Sequence, residues 1–331
     1  MRTVRQTIEG MALAYDPQVA PELDAVIQFE VAGPEPGAYH LRIRDGACTF
    51  HLRRSARRPT LTVTTPSDVW LRISSGELSG RQAFLDGLYQ AEGDPNLLMS
   101  LERLFRPRED VSLVGHIRPA GPVALGGMTW LAVAFAPWMA MWLGLPWPAA
   151  LGGAAVIAAY RARVRELTWF EAGTVLCFAV LTVGALVTGN WMSRWGTVAG
   201  TLALATLWLA PTAVRSPALS VAYSKWKYVP ALWSNATFLH VNAVISLAWG
   251  YAFLGQGLVE IAARMAPDLA GPLVPARWLV LIPAILLTLR LPRGAPDRAI
   301  PDLDHAPARL QRVAALAMAA GLAALLLTVR A

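Results

Sequence analysis

The sequence predicts an α+β domain followed by an all-α transmembrane bundle of about seven helices. The first observation is composition: 331 residues that are 55% hydrophobic and only 15% charged are too apolar for one ordinary soluble fold. The second is distribution, since residues 1 to about 119 are mixed and charge-rich while long apolar runs repeat from Gly121 onward. The third is periodicity. The front part alternates as strands do, and the rear part carries runs close to the roughly 20 residues that cross a bilayer. The expected division is residues 1–112 as the soluble domain, 113–122 as a linker and 123–331 as the polytopic transmembrane domain.

Taken in order, Val4, Ile8, Met11 and Ala12 recur at the spacing of a modest amphipathic helix that Asp16-Pro17 ends. Ala25 to Val31 alternates, with Ile27, Phe29 and Val31 on one face and Val26, Gln28 and Glu30 on the other. Gly33, Pro34, Pro36 and Gly37 make a turn, after which Tyr39, Leu41 and Ile43 alternate with His40, Arg42 and Arg44. Asp45-Gly46 is a hairpin signal. Cys48, Phe50 and Leu52 continue the apolar face on a third strand, and Leu61 and Val63 supply a fourth.

From Pro66 to Phe105 the apolar residues fall at helical spacing in short pieces. A helix starts at Ser67, presents Val69, Trp70 and Ile73, and stops at Gly76. Ala83 and Phe84 indicate a second helix ending near Gly87, and Tyr89 to Glu92 reads as a brief strand. Asp94, Pro95 and Asn96 cap a last helix whose Leu97, Leu98, Leu101, Leu104 and Phe105 recur every three or four residues. A face that broad needs a cover.

The ordered set DAVIQFEV, PGAYHLRIRDGACTFHL, PTLTVTTPSDVWLRISSGEL, GRQAFLDGLYQAEGD and LLMSLERLF, with Gly87, Tyr89, Gly93 and Asp94 as G-x-Y-x-x-x-G-D, resembles the sterol carrier protein 2 family of lipid-binding domains. The resemblance spans nearly all of residues 1–105, about a third of the chain. It implies a sheet of about five strands covered by helices, an apolar tunnel for sterol, fatty acyl or other lipid ligands, and no catalytic residues to transfer. The candidate lining is Ile27, Phe29, Trp70, Ile73, Phe84, Leu98, Leu101 and Phe105, residues whose pattern by itself is that of a plain core. Unlike a free-standing carrier, this chain runs on through Arg106, Pro107 and Arg108 toward apolar spans. Arg53, Arg54, Arg57 and Arg58 form a basic loop that reads either as a solvated hairpin or as a surface for anionic headgroups.

Apolar spans are expected near Val123–Leu143, Trp147–Tyr160, Trp169–Thr188, Trp195–Val214, Phe238–Val259, Trp278–Leu291 and Val313–Val329. Met1 to Gly10 carry Arg2, Arg5 and Glu9 with no apolar run, so the amino terminus is expected in the cytoplasm. Arg161, Arg163, Arg165, Arg215, Lys225, Lys227, Arg290, Arg293, Arg298, Arg309 and Arg312 then fall on that side, against Arg194, Arg264, Arg277 and Arg330 opposite. The basic excess (formal charge +7) therefore points to membrane topology, with no nucleic-acid partner expected.

Trp142, Trp147, Trp169, Trp191, Trp195 and Trp278 sit where interfacial aromatics would, and Tyr223, Trp226, Tyr228 and Trp233 mark an interfacial segment. Gly196-x-x-x-Gly200 is a close-approach pattern common in any apolar helix. Ionisable groups are scarce: Glu171 and Glu260 are expected at interfaces, and His240 and Asn242 are the candidates for an intramembrane polar site.

Two cysteines, Cys48 and Cys177, support neither a disulfide framework nor a metal centre, and no Walker, GxSxG or HExxH motif occurs. The expectation is a non-enzymatic, multi-pass protein of the cytoplasmic (inner) membrane. It needs no cofactor, has its front domain in the cytoplasm, takes up a lipid or sterol-like ligand and exchanges it with the membrane. The alternatives are a lipid or hydrophobic-solute transporter with the front domain as feeder or gate, and a ligandless membrane scaffold.

Overall fold

A computed structural model describes residues 2–105, 127–225, 227–228, 232–295, 299–300, 302–303 and 305–330. Contacts divide the chain into one unit of residues 1–112 with 295–301 and a second of residues 113–294 with 302–331. The expected linker at 113–122, the run Arg106 to Arg108 and Trp226 lie outside the described residues.

The first unit begins with α1 (Val4–Ala14), closed at its start by a capping box in which Thr3 and Gln6 satisfy each other's backbone. Four strands follow, β1 (Ala25–Ala32), β2 (Gly37–Arg44), β3 (Ala47–Leu52) and β4 (Leu61–Pro66), then α2 (Ser67–Ser74), α3 (Gly80–Leu85), β5 (Gln90–Gly93) and α4 (Pro95–Leu104). The sheet order is β3-β2-β1-β4-β5. All neighbours are antiparallel except β1 and β4, which run parallel with Ile27 opposite Leu61.

Asp45 and Gly46 turn β2 into β3 with φ of 52° and 73°, the two positive angles that a tight hairpin of the right twist requires. Side-chain alternation aligns Ile27, Leu41 and Phe50 in one row and Phe29, Tyr39 and Val63 in another, so the apolar face is continuous. Val4 and Ile8 of α1, Trp70 of α2 and Leu97, Leu104 and Phe105 at α4 are buried in that face's core. Leu52, expected on the same face, is 43% exposed because β3 is the edge strand.

Three positions of the G-x-Y-x-x-x-G-D pattern have a mechanical role. Gly87 leaves α3 at a φ of 69°, Gly93 ends β5 at 121°, and Asp94 caps α4 by accepting the N–H groups of Asn96 at 2.8 Å and Leu97 at 3.4 Å. Asp94→Ala is expected to cost about 1 kcal/mol, read as faster amide hydrogen exchange confined to α4.

The second unit is helical. Its elements are α5 (Gly127–Ala134), α6 (Ala136–Trp142), α7 (Trp147–Arg163), α8 (Trp169–Val187), α9 (Gly189–Ala213), α10 (Leu219–Ser224), α11 (Ala236–Met265), α12 (Ala270–Ala276), α13 (Ile282–Gly294) and α14 (Ala306–Arg330). By length and composition, α8, α9, α11 and α14 qualify as membrane spans among the described residues, and residues 267–294 make a fifth if a 40° bend is counted within one span.

Against the about seven spans expected, four or five helices among the described residues reach spanning length. The described part of the first expected span, Thr129–Trp142, is a shorter apolar helix, and α7 is 17 residues ending in Arg161 and Arg163, short for a roughly 30 Å hydrocarbon core.

The long helices approach closely where side chains vanish. A methyl group on Gly250 or Gly257 of α11 would lie 2.5 Å or 2.7 Å from Leu209 or Leu202 of α9. Gly196 and Gly200 likewise make room for Trp147 and Met141, so the pattern seen in the sequence is used for packing. Trp138, Trp195 and Trp208 are fully buried among the helices, whereas Trp169 stays 59% exposed.

Candidate functional site

The helix-covered side of the front sheet gathers most of the expected lining. Ile27 and Phe29 are fully buried at the centre of the sheet, and Trp70 and Phe105 are buried against them. Leu98 and Leu101 of α4 are half-buried and pack on the same cluster. Trp70 meets the Phe29 ring edge-on at 5.1 Å, while its indole N–H donates to Thr7 Oγ1 at 2.8 Å, which fixes the ring's direction.

Ile73 is half-buried, and Phe84 is 37% exposed; neither joins the central cluster. Phe84 reaches it through Tyr89, whose ring lies 5.6 Å away and packs on the core. With Leu85 and Leu88 also exposed, the α3–β5 connection is an apolar rim.

This face also holds polar groups in their neutral forms. Burial pushes the Cys48 thiol up to about 12, so at neutral pH it behaves as a small apolar side chain. Burial also raises the phenols of Tyr15, with help from Cys48 and Asp16, and of Tyr89, with help from Glu102. Sequence reading missed Tyr15 and Tyr89 as members of this face; their aromatic bodies next to short apolar runs are the available signal.

The opposite face explains the basic loop. Because β4 lies on the far side of β1 from β2, residues 53–60 must cross the sheet, so Arg53, Arg54, Arg57 and Arg58 belong to a crossover strap and the hairpin reading is corrected. Arg53 N–H donates to Ala38 O at 2.8 Å, Arg54 pairs with Glu30 at 2.8 Å, and Ser55 N–H donates to Gln28 Oε1 at 2.8 Å. This strap buries Gln28 to 3% exposure on a face that alternation marks as wet. All four arginines remain exposed.

In the helical unit His240 and Asn242 are not brought together, since positions two apart point to opposite sides of a helix. Asn242 is buried and knits α11 to α10: its Nδ2 donates to Phe238 O at 2.9 Å and its Oδ1 accepts from Ser224 at 2.9 Å. His240 is half-buried, with Nδ1 unpartnered among the described residues.

Both carboxylates singled out in the sequence are buried within the helical unit. Glu171 is 3% exposed, sits 3.3 Å from Arg161 Nε and accepts from Tyr223 at 2.8 Å. Tyr223, expected at an interface, is correspondingly 2% exposed. Glu260 is 2% exposed between Arg264 and Arg277. The Thr168-x-x-Glu171 capping box was the sequence signal for the first of these.

A family model described as the SCP-2 sterol transfer family matches residues 11–106. Among solved structures, that of palmitated SCP2L2 from Aedes aegypti is 21% identical over 31% of this chain and 95% of that one, with a TM-score of 0.27. The crystal structure of Sterol Carrier Protein 2 Like 2 from the same organism is 22% identical over 30% and 94%, with a TM-score of 0.26. The stereoselective inverting sec-alkylsulfatase of Pseudomonas sp. is 19% identical over 30% of this chain, which spans only 16% of that enzyme, with a TM-score of 0.26. No curated protein matches the chain. Residues 11–106 are thus a domain of the SCP-2 sterol transfer family, followed in the same chain by a largely helical region with several apolar helices.

Proposed function

We propose that the front domain takes up a lipid or sterol-like molecule between its sheet and helices, and that the apolar helices hold it at a membrane with which the ligand exchanges. The observation that carries this reading is the match of residues 11–106 to a sterol transfer family, on a domain whose broad apolar face is roofed by separate short helices. Leu98 and Leu101 on α4, with the exposed rim at Phe84, Leu85 and Leu88, are the parts of that face least tied into the core, and the ligand enters there.

Each buried methylene contributes about 0.8 kcal/mol, so roughly ten carbons account for micromolar binding. Tethering raises the concentration of domain at the bilayer without any new contact. The domain lies on the cytoplasmic side in this reading, where Arg53, Arg54, Arg57 and Arg58 face anionic headgroups, and the chain carries out transfer without catalysis.

Leu101→Trp puts a larger side chain under α4. In the full chain it is expected to lower the affinity for a fluorescent fatty acid by about ten-fold or more, with native β-strand exchange protection. Undiminished binding by this variant, or no lipid released when the purified parent chain is extracted and analysed by mass spectrometry, would count against the reading.

A further inference from the structure

The last turns of α11 and the following α12 line a cleft of about 190 Å³ whose lining includes the charged Glu260, Arg264 and Arg277 and the apolar Val259, Leu273 and Val274. Its charges do not cancel. One carboxylate serves two guanidinium groups: Glu260 Oε1 accepts from Arg277 Nη1, and Oε2 lies 3.4 Å from Arg264 Nη1. The three side chains carry a net positive charge. Arg277 Nε, moreover, is buried without a hydrogen-bond partner among the described residues, and an unmet charged donor in such a place is costly.

Arg264 is held in position whether or not an anion is present. Its Nε donates to Arg194 O at 2.8 Å and its Nη2 to Thr197 Oγ1 at 2.7 Å, both from α9. A cation pinned by the scaffold, facing space large enough for several atoms, is preorganised for an oxyanion. The apolar lining opens outward at Val274, which is 49% exposed. A ligand that matches both halves has a charged head and an alkyl tail.

We propose that this cleft binds the oxyanion head of an anionic amphiphile, a carboxylate or a phosphate ester, between Arg264 and Arg277, with its chain lying along Leu273 and Val274. The site is independent of the front-domain reading. Leu101→Trp should leave it intact, and its loss should leave the front domain's ligand in place.

The test is a native mass-spectrometric titration of the full chain in non-ionic detergent with dodecyl phosphate, laurate, dodecanol and inorganic phosphate. Arg277→Gln is expected to weaken dodecyl phosphate and laurate by about ten-fold. Val274→Asp, which places a negative charge on the exposed apolar lining, is expected to do the same and covers the case in which the arginine variant does not fold. Dodecanol binding as tightly as laurate would overturn the oxyanion assignment. Inorganic phosphate competing as well as dodecyl phosphate would overturn the amphiphile, and unchanged affinity in both variants would overturn the site.

Discussion

Arg161→Ala is expected to destabilise the helical domain by about 3–5 kcal/mol, the cost of leaving a buried charge without its partner. Arg161 is 6% exposed at the end of α7, pairs with Glu166 at 2.6 Å, lies 3.3 Å from Glu171 and covers the Trp130 ring at 5.2 Å. Removing it leaves Glu171 with only neutral donors, namely Tyr223 and the Thr168 backbone and hydroxyl. Arg163, two residues on and exposed, is the control: its truncation should change stability by less than about 0.5 kcal/mol.

The double variant Arg161→Leu with Glu171→Leu removes both charges and should regain most of the loss, because an apolar pair needs no compensation. Thermal unfolding of the full chain in detergent, compared across the cycle, reads the coupling directly. Equal melting of Arg161→Ala and the parent would show that the cluster stabilises nothing.

Gly93→Val has the next largest expected effect, about 2–5 kcal/mol, lost from the front domain. At φ 121° any side chain is strained, and a methyl group there would lie 2.3 Å from Thr60 O and 3.1 Å from Leu61 Cα. These are backbone atoms of the neighbouring strand and cannot swing aside. Thr60 also holds β1, donating its N–H to Val26 O at 2.8 Å and accepting from Val26 N at 3.1 Å, so displacement spreads into the centre of the sheet.

Gly87→Ala separates strain from collision. Its φ is 69° but nothing lies within 4 Å of the added carbon, so it should cost only about 1–2 kcal/mol. Amide exchange of residues 25–66 in the full chain distinguishes them. A valine at 93 that leaves those amides as protected as in the parent would mean that β4 and β5 are not locked as described.

Much of the front domain was legible because its determinants are local. Asp45-Gly46 can turn only one way, Asp94-Pro95 opens a helix wherever it stands, and the alternation in Ala25 to Val31 marks two faces. Gly93 was legible as part of a pattern but not as a steric necessity, since the atom it avoids comes from Thr60, which is 33 positions earlier. Of the lining, Ile27 and Phe29 lie on the expected face because a central strand dictates it; Phe84 sits at the rim because α3 has only 6 residues and buries Ala83 instead.

The sequence alone determined that this chain has two parts, which stretches become strands and helices, and that the front part resembles a lipid carrier, because composition, period and turn chemistry act over a few residues. Tertiary structure alone decided that the arginine-rich loop crosses the sheet to reach a parallel strand and buries Gln28, and that Glu171 is buried beside Arg161 and Glu260 between Arg264 and Arg277. The reason is electrostatic and topological. A charge in apolar surroundings is tolerated only beside its opposite, and which opposite it finds depends on how distant segments are brought together rather than on the neighbours it has along the chain.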